Sequence, residues 1–164
     1  MYLLQNISYK SRMNSIMKKT AAVIVFIAII AVYTYFLISY KEVKYSVIKN
    51  IDVFHEAIQK ENINDLIIDL RDQEDYEKEH IDKSINMPFN DEGVKLLSYL
   101  KEKKLHNKNI YLLCYSGNRS AKAFNLLSDE GFKNINYIAF GYDEYKESLG
   151  NSFIPVKGPC PCGE

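Results

Sequence analysis

One cysteine of the chain lies in a segment suited to stabilising an anion. Cys114 follows a short apolar stretch, 109–113, and precedes a helical pattern over 121–130. Backbone N–H groups of a loop and of a helix N-terminus converge at such a junction, where they favour a thiolate and bind an anionic substrate. The segment predicts Cys114 as a catalytic nucleophile. The residues expected to bind its substrate are Tyr115, Ser116, Gly117, Asn118, Arg119 and Ser120.

Two members of this loop have residue types with a defined purpose. Gly117 permits the backbone conformation that a tight anion cradle needs, and Arg119 adds a fixed positive charge. Four residues separate Cys114 from Arg119.

The segment 47–149 resembles the rhodanese-like sulfurtransferases in five motifs that occur in the family's order. The loop 114–120 is similar to the active-site loop of that family. The other four are the strand end Asp69-Leu70-Arg71, the pair Glu74-Asp75-Tyr76 and His80-Ile81, the strand Ser84-Ile85-Asn86-Met87-Pro88, and Gly131-Phe132 followed by Gly141-Tyr142-Asp143-Glu144-Tyr145.

The resemblance implies a fold, a chemistry and a set of roles. The fold is an α/β domain over 44–149, with three layers around a central parallel sheet. The chemistry is transfer of a sulfane sulfur through a persulfide on Cys114, with no cofactor. Asp69 and Arg71 are then structural residues near the site rather than catalytic ones. His80 ends a predicted helix, where the helix dipole favours a cation, and it is interpreted as structural too.

The chain departs from the family pattern at three positions. Lys83 stands where the family usually has glycine, Tyr142 replaces a second glycine, and Tyr145 replaces tryptophan. These changes affect the scaffold and the rim, and so the substrate preference.

The length of the loop distinguishes two chemistries on this fold. Rhodanese-like phosphatases and arsenate reductases have a longer loop, with five residues between cysteine and arginine. The shorter loop here favours sulfur transfer over phosphate hydrolysis.

The hydrophobic pattern alternates strands with helices. This alternation predicts a parallel sheet covered on both faces, with ligands at the carboxyl ends of its strands. Strands are predicted at 44–48, 66–70, 85–87, 110–113 and 135–139. Helices are predicted at 52–60 with Asp52 as N-cap, at 72–78, at 91–104 with Val94, Leu97 and Leu100 on one apolar face, and at 121–130, ended by Gly131.

An apolar segment at 21–38 predicts one transmembrane helix before the domain. It would be about 27 Å long, close to the roughly 30 Å of a bilayer core. Met17-Lys18-Lys19-Thr20 resembles the start of a bacterial export signal, which makes Met17 a candidate start. We expect a basic segment over 1–20 and an uncleaved signal-anchor over 21–40. The catalytic domain should then lie outside the cytoplasm, in the bacterial cell envelope.

Charge and residue pairing limit the partners. All acidic residues follow Tyr40, and residues 41–164 carry a formal charge of −4, which argues against nucleic acid as a partner. The expected partners are a small anionic sulfur donor and a thiol or protein acceptor. His55 and His106 are isolated and expected on the surface, and no pairing of ligand residues predicts a metal site.

The C-terminal segment 150–164 falls outside the resemblance and is predicted to be flexible. It contains Cys160 and Cys162 with one proline between them. These accessory thiols are candidates to relay sulfur from Cys114 or to form a disulfide with it, or, least favoured because two ligands are incomplete, to bind a soft metal.

The sequence therefore predicts a membrane-anchored sulfurtransferase acting through Cys114. Two readings from other classes stay open. One is a rhodanese-like binding module without catalysis, against which the presence of both Cys114 and Arg119 argues. The other is an envelope thiol-redox protein that uses Cys114 with Cys160 and Cys162.

Overall fold

The computed structural model describes the backbone of residues 2–39, 44–60 and 62–160, and the side chains of 17–35, 46–60 and 62–160. The chain divides into two units, 1–42 and 43–164. The first unit contains helix α1 (Tyr2–Ser39). Within it, Met17–Tyr35 is long and apolar enough to cross a membrane, and none of this stretch is buried. Its length and composition suit either a membrane anchor or a signal sequence.

The second unit is an α/β domain around a five-stranded parallel sheet, as the sequence predicts. The strand order is β1-β5-β4-β2-β3, which puts β4 at the centre and β3 at an edge. The strands are β1 (Lys44–Ile48), β2 (Asp65–Asp69), β3 (Ile85–Asn86), β4 (Asn109–Cys114) and β5 (Asn134–Gly141). The helices are α2 (Ile51–Gln59), α3 (Gln73–Lys78), α4 (Val94–Glu102), α5 (Asn118–Asp129) and α6 (Tyr142–Leu149).

Two apolar cores, one on each face of the sheet, hold the layers together. Successive residues of β4 face opposite sides of the sheet, as the pleat requires. On one side, Leu112 and Cys114 share a buried cluster with the α4 and α5 residues Leu96 and Ala123. On the other, Leu113 packs in a cluster with aromatic residues of α2, β5 and α6, which are Phe54, Phe140, Tyr142 and Tyr145.

Helices α2 and α5 do not start as predicted. The N-cap of α2 is Asn50, not Asp52, because the Asn50 side chain accepts hydrogen bonds from the N–H groups of Asp52 and Val53. Helix α5 begins at Asn118, three residues earlier than predicted, directly after Gly117. The earlier start places Asn118, Arg119 and Ser120 in the first turn of the helix rather than in a loop.

The predicted apolar face of α4 is wrong at its first position. Val94 is 62 % exposed, whereas Leu96 and Leu100 are fully buried. The helix begins at Val94 rather than at residue 91, and Leu96 and Leu100, four residues apart, form its buried stripe.

The C-terminal segment follows the domain as far as the structure describes it. After a 3₁₀ turn (Gly150–Ser152), Val156 pairs with His80 in an antiparallel bridge. The N–H of Gly158 donates to the carbonyl of Glu77, 2.9 Å away. At the open edge of β3, the N–H of Asn86 donates to the sulfur of Cys160 at 3.1 Å. The segment predicted to be flexible therefore has defined partners up to Cys160.

Candidate active site

The candidate site lies at the carboxyl end of the central strand. Cys114 is the last residue of β4, and three residues later α5 begins with Gly117 as its N-cap. The N–H of Gly117 donates to Sγ of Cys114 at 3.2 Å. Cys114 is only 1 % exposed and its thiol is free. The sulfur thus lies at the positive end of a three-turn helix with one backbone donor already directed at it.

Two glycines let the loop and the end of β5 approach each other. Gly117 has φ +83°, and a Cβ there would lie 2.8 Å from the carbonyl oxygen of Ala139. Gly141 has ordinary dihedrals, but a Cβ on it would lie 1.9 Å from the carbonyl oxygen of Tyr115. The loop backbone therefore keeps its shape only while both positions lack a side chain.

Arg119 is held at the rim of the loop by an ion pair. Its Nη1 donates to Oδ1 of Asp72 at 3.2 Å and to the carbonyl of Leu70 at 3.3 Å. Its guanidinium carbon lies 4.9 Å from the centre of the Tyr115 ring. The side chain of Arg119 is 33 % exposed and that of Asp72 47 %, so solvent reaches the pair.

Tyr115 joins the catalytic loop to the segment that follows β2. Its hydroxyl donates to Oδ2 of Asp75 at 2.6 Å and accepts from the N–H of Asp72 at 3.1 Å. Burial, followed by the hydrogen bond to Asp75, raises the pKa of Tyr115 to about 12, so the phenol stays protonated and donates. The hydrogen bond from Tyr115 also lowers the pKa of Asp75, and the hydrogen bond from Lys78 lowers it further.

Asp72 and Asp75 are the residues that sequence reasoning missed. The pattern assigned Asp72 only to the start of a helix. The position of Asp72 shortly after β2 could have indicated its role. Strands β2 and β4 are parallel neighbours, so the segments that follow them meet at one edge of the sheet.

The remaining members of the loop differ in exposure. Ser116 and Asn118 are exposed, while Ser120 is fully buried. The Ser120 hydroxyl has no hydrogen-bond partner among the described residues.

Asp69 and Arg71 make scaffold contacts. Nε and Nη2 of Arg71 donate to both oxygens of Asp69 at 2.7–3.1 Å, and Nη2 also donates to the carbonyl of Glu79. Burial alone would lower the pKa of Arg71, but the hydrogen bond and charge of Asp69 raise it above its ordinary value. Arg71 also lies 3.6 Å above the Tyr142 ring. The pair joins the end of β2 to the end of α3 and to α6.

His80 is buried and has a structural environment as well. Its Nδ1 donates to the carbonyl of Tyr76 at 2.8 Å, and the two rings stack with centres 3.8 Å apart. Its backbone forms the bridge to Val156.

The three departures from the family pattern fit the scaffold. Lys83 adopts φ +61°, a left-handed conformation that favours glycine, so the turn before β3 forms with a lysine in it. Tyr142 and Tyr145 are both fully buried, and burial raises the pKa of each well above its ordinary value. Both side chains fill the core between α6 and the sheet.

His55 and Cys160 both make contacts with the domain. His55 is half-buried rather than on the surface, because its Nδ1 contacts the Tyr145 hydroxyl at 2.7 Å. Cys160 is disulfide-bonded, and because Cys114 is free, the bond does not join these two residues. Cys162 lies outside the described residues. In the described part of the chain, no three His, Cys, Asp or Glu residues are grouped to hold a metal ion.

A cavity of about 610 Å³ lies on the α2 and α6 side of the sheet. No residue of the loop 114–120 lines it. Its walls include His55, Asp65, Ile67, Asp82, Tyr145 and Phe153. It contains no cysteine and is separate from the candidate site.

Comparison with known proteins gives a family for this arrangement. The rhodanese-like domain family matches residues 50–148. A thiosulfate sulfurtransferase, GlpE of Coxiella burnetii, is 32 % identical over 91 residues, which are 56 % of this chain and 78 % of that protein. A putative sulfur carrier protein of Bacillus subtilis, YrkF, is 31 % identical over 58 % of this chain and 49 % of its own length.

Other relatives are longer or share only the fold. A probable molybdopterin-synthase adenylyltransferase of Porphyra purpurea is 28 % identical over 92 % of this chain but 42 % of its own length. The chain spans less than half of the length of this relative and of several others. The single-domain sulfurtransferase RDL2 of Saccharomyces cerevisiae superposes with a TM-score of 0.53 at 20 % identity, over 71 % of this chain and 98 % of that one. It shows the same fold.

Proposed function

The chain belongs to the rhodanese-like domain family, and from this premise we propose that it is a sulfurtransferase that carries a sulfane sulfur as a persulfide on Cys114. The observation that carries the proposal is the Gly117 N–H directed at Sγ of Cys114 from the N-terminus of α5. The same donor and the same helix end that stabilise a thiolate also stabilise a persulfide anion. Four residues lie between Cys114 and Arg119, and a loop of this length favours sulfur transfer over hydrolysis of a tetrahedral phosphate.

The first step is a displacement at sulfur. The Cys114 thiolate attacks the outer sulfur of a donor such as thiosulfate or a polysulfide. A new S–S bond forms to Cys114 and the donor's own S–S bond breaks. With thiosulfate, sulfite leaves with the bonding electrons. Arg119 offsets charge on the anionic donor, and the loop N–H groups hold the resulting persulfide.

The second step returns the enzyme to its first state. A thiophilic acceptor, which is cyanide in an assay and a small or protein thiol in the cell, attacks the outer sulfur of the persulfide. The Cys114 sulfur leaves as a thiolate. A covalent intermediate divides one transfer into two displacements at the same sulfur.

A thiosulfate:cyanide assay beside a disulfide-reductase assay tests this function against its two alternatives. We expect thiocyanate formation from thiosulfate and cyanide, and one added sulfur by intact mass after thiosulfate alone. Reductase activity without sulfur uptake would instead support a thiol-redox protein. Inactivity in both assays, together with no sulfur uptake from the monoanionic donor benzenethiosulfonate, would support a binding module.

The tail cysteines have a proposed accessory role that rests on one observation. Cys160 packs against the buried cluster that contains Cys114, and the two cysteines are not bonded to each other. We propose that reduced Cys160 and Cys162 accept sulfur from Cys114. In that transfer the tail thiolate attacks the outer persulfide sulfur and Cys114 leaves as a thiolate. The tail must leave the β3 edge, where its described backbone bonds to His80 and Glu77 are few.

This relay predicts where sulfur is found after loading. The reduced protein, treated with thiosulfate, alkylated and digested, should show alkylated persulfide on both the Cys114 peptide and the tail peptide. In the Cys160→Ser/Cys162→Ser double variant, sulfur should stay on Cys114 and cyanide turnover should continue. Sulfur confined to Cys114 in the wild-type protein would contradict the relay.

We also propose that α1 anchors the protein with its domain outside the cytoplasm. No part of the apolar stretch Met17–Tyr35 is buried, and the basic start of this segment is typical of an export signal. A membrane-impermeant thiol reagent, added to intact cells after mild reduction, should label the protein. A cytoplasmic protein with one exposed cysteine is the control. Labelling that requires lysis would reverse the orientation.

A further inference from the structure

Two carboxylates, those of Asp72 and Asp75, contact side chains of the loop 114–120. Arg119 is the one cation among the loop residues 114–120, and Asp72 neutralises it at 3.2 Å. Asp75 contributes a second carboxylate, bound to the Tyr115 hydroxyl. A donor with two negative charges therefore meets an arginine that already has a partner.

Asp72 and Asp75 differ in what they contact. The Asp75 charge is offset by Lys78, whose Nζ is 2.9 Å from Oδ1. Asp72 instead faces Arg119, and its Oδ2 lies 3.1 Å from the Tyr115 hydroxyl. Asp72 therefore binds both functional side chains of the loop, Arg119 by charge and Tyr115 by hydrogen bonding.

We propose that Asp72 is a specificity-determining residue, which offsets the charge of Arg119 and makes the site select singly charged sulfur donors over doubly charged ones. The inference rests on the proposed sulfur transfer at Cys114. A monoanion needs less positive charge at the rim than a dianion, so the neutralised pair penalises the dianion more. The native donor is then a persulfide, a polysulfide end or a thiosulfonate-type anion with one charge near the reacting sulfur, rather than thiosulfate.

Two donors that react alike but differ in charge make this testable. Thiosulfate, a dianion, transfers its outer sulfur and releases sulfite. Benzenethiosulfonate, a monoanion, transfers its outer sulfur and releases benzenesulfinate. The measured quantity is the ratio of the rate constants for persulfide formation on Cys114, thiosulfate over benzenethiosulfonate, followed by intact mass.

Asp72→Asn should raise this ratio by about three- to fivefold, the size expected when one partner of a half-exposed ion pair is removed. The gain should shrink as salt is added, because the pair is open to solvent. Asp75→Asn is the matched control. It removes one negative charge from the other carboxylate that contacts Tyr115 but leaves the contact between Asp72 and Arg119 in place, so the ratio should change less than twofold.

The outcomes separate the inference from the function on which it rests. An unchanged ratio in Asp72→Asn, or an equal rise in Asp75→Asn, overturns the role of Asp72 while sulfur transfer stands. A wild-type protein that takes sulfur from neither donor overturns the proposed function and this inference together. A change in stability alone would move both rate constants equally and leave the ratio unchanged, which also counts against the proposal.

Discussion

Replacing Cys114 by serine should abolish persulfide formation while the domain stays folded. Serine has nearly the shape of cysteine, and its hydroxyl can accept the N–H of Gly117 that Sγ now accepts. Oxygen does not carry a sulfane sulfur as a persulfide does, so the first displacement has no product. Because Cys114 is buried within an apolar cluster, we expect a loss of unfolding free energy of about 1 kcal/mol.

Intact mass after thiosulfate and after benzenethiosulfonate measures this prediction. The wild-type protein should gain one sulfur atom and Cys114→Ser none. Cys160→Ser is the control for a thiol outside the loop and should still gain sulfur. An adduct on Cys114→Ser would remove Cys114 from the mechanism, whatever the assay turnover.

The sequence predicted those parts of the fold that depend on local pattern. The strand preceding Cys114 is a continuous apolar run, and burial on both faces of a central parallel strand produces that pattern. Gly131 was predicted to end α5 and has φ +83° just after it. Lys83 stands where the family usually has glycine, yet its backbone adopts the left-handed conformation that favours glycine, with φ +61°. The surrounding fold determines that backbone conformation despite the lysine side chain.

The parts that local pattern missed depend on distant residues. No local signal shows that Asp72 meets Arg119, because Asp72 lies at the start of the helix after β2 and Arg119 in the first turn of the helix after β4. The half-buried position of His55 depends in the same way on Tyr145, ninety residues later. Val94 fits the apolar period of α4, but it lies at the first residue of the helix and outside the packed stripe. Such contacts follow from sheet topology and register, which local pattern does not reveal.

Replacing Gly141 by alanine should damage the site more than the scaffold. A Cβ there would lie 1.9 Å from the Tyr115 carbonyl oxygen and 2.7 Å from its carbon, both backbone atoms of the catalytic loop. No side-chain rotation relieves this contact, so the loop backbone must shift away from β5. We expect a loss of unfolding free energy of about 2–3 kcal/mol, typical of overpacking. Because the shift moves the segment between Cys114 and Gly117, it also misdirects the donor to Sγ.

Urea unfolding and the rate of persulfide formation per folded molecule, measured on the same protein, separate these two effects. Gly131→Ala is the matched control. It introduces the same methyl group at φ +83° with no atom within 4 Å, so it should cost about 1–2 kcal/mol from backbone strain alone and leave sulfur uptake intact. Gly141→Ala should lose at least about tenfold in uptake rate, since loss of one preorganised backbone donor costs that much or more. Full uptake in Gly141→Ala would show that the loop tolerates displacement from β5, and that its donor geometry does not determine the reaction rate.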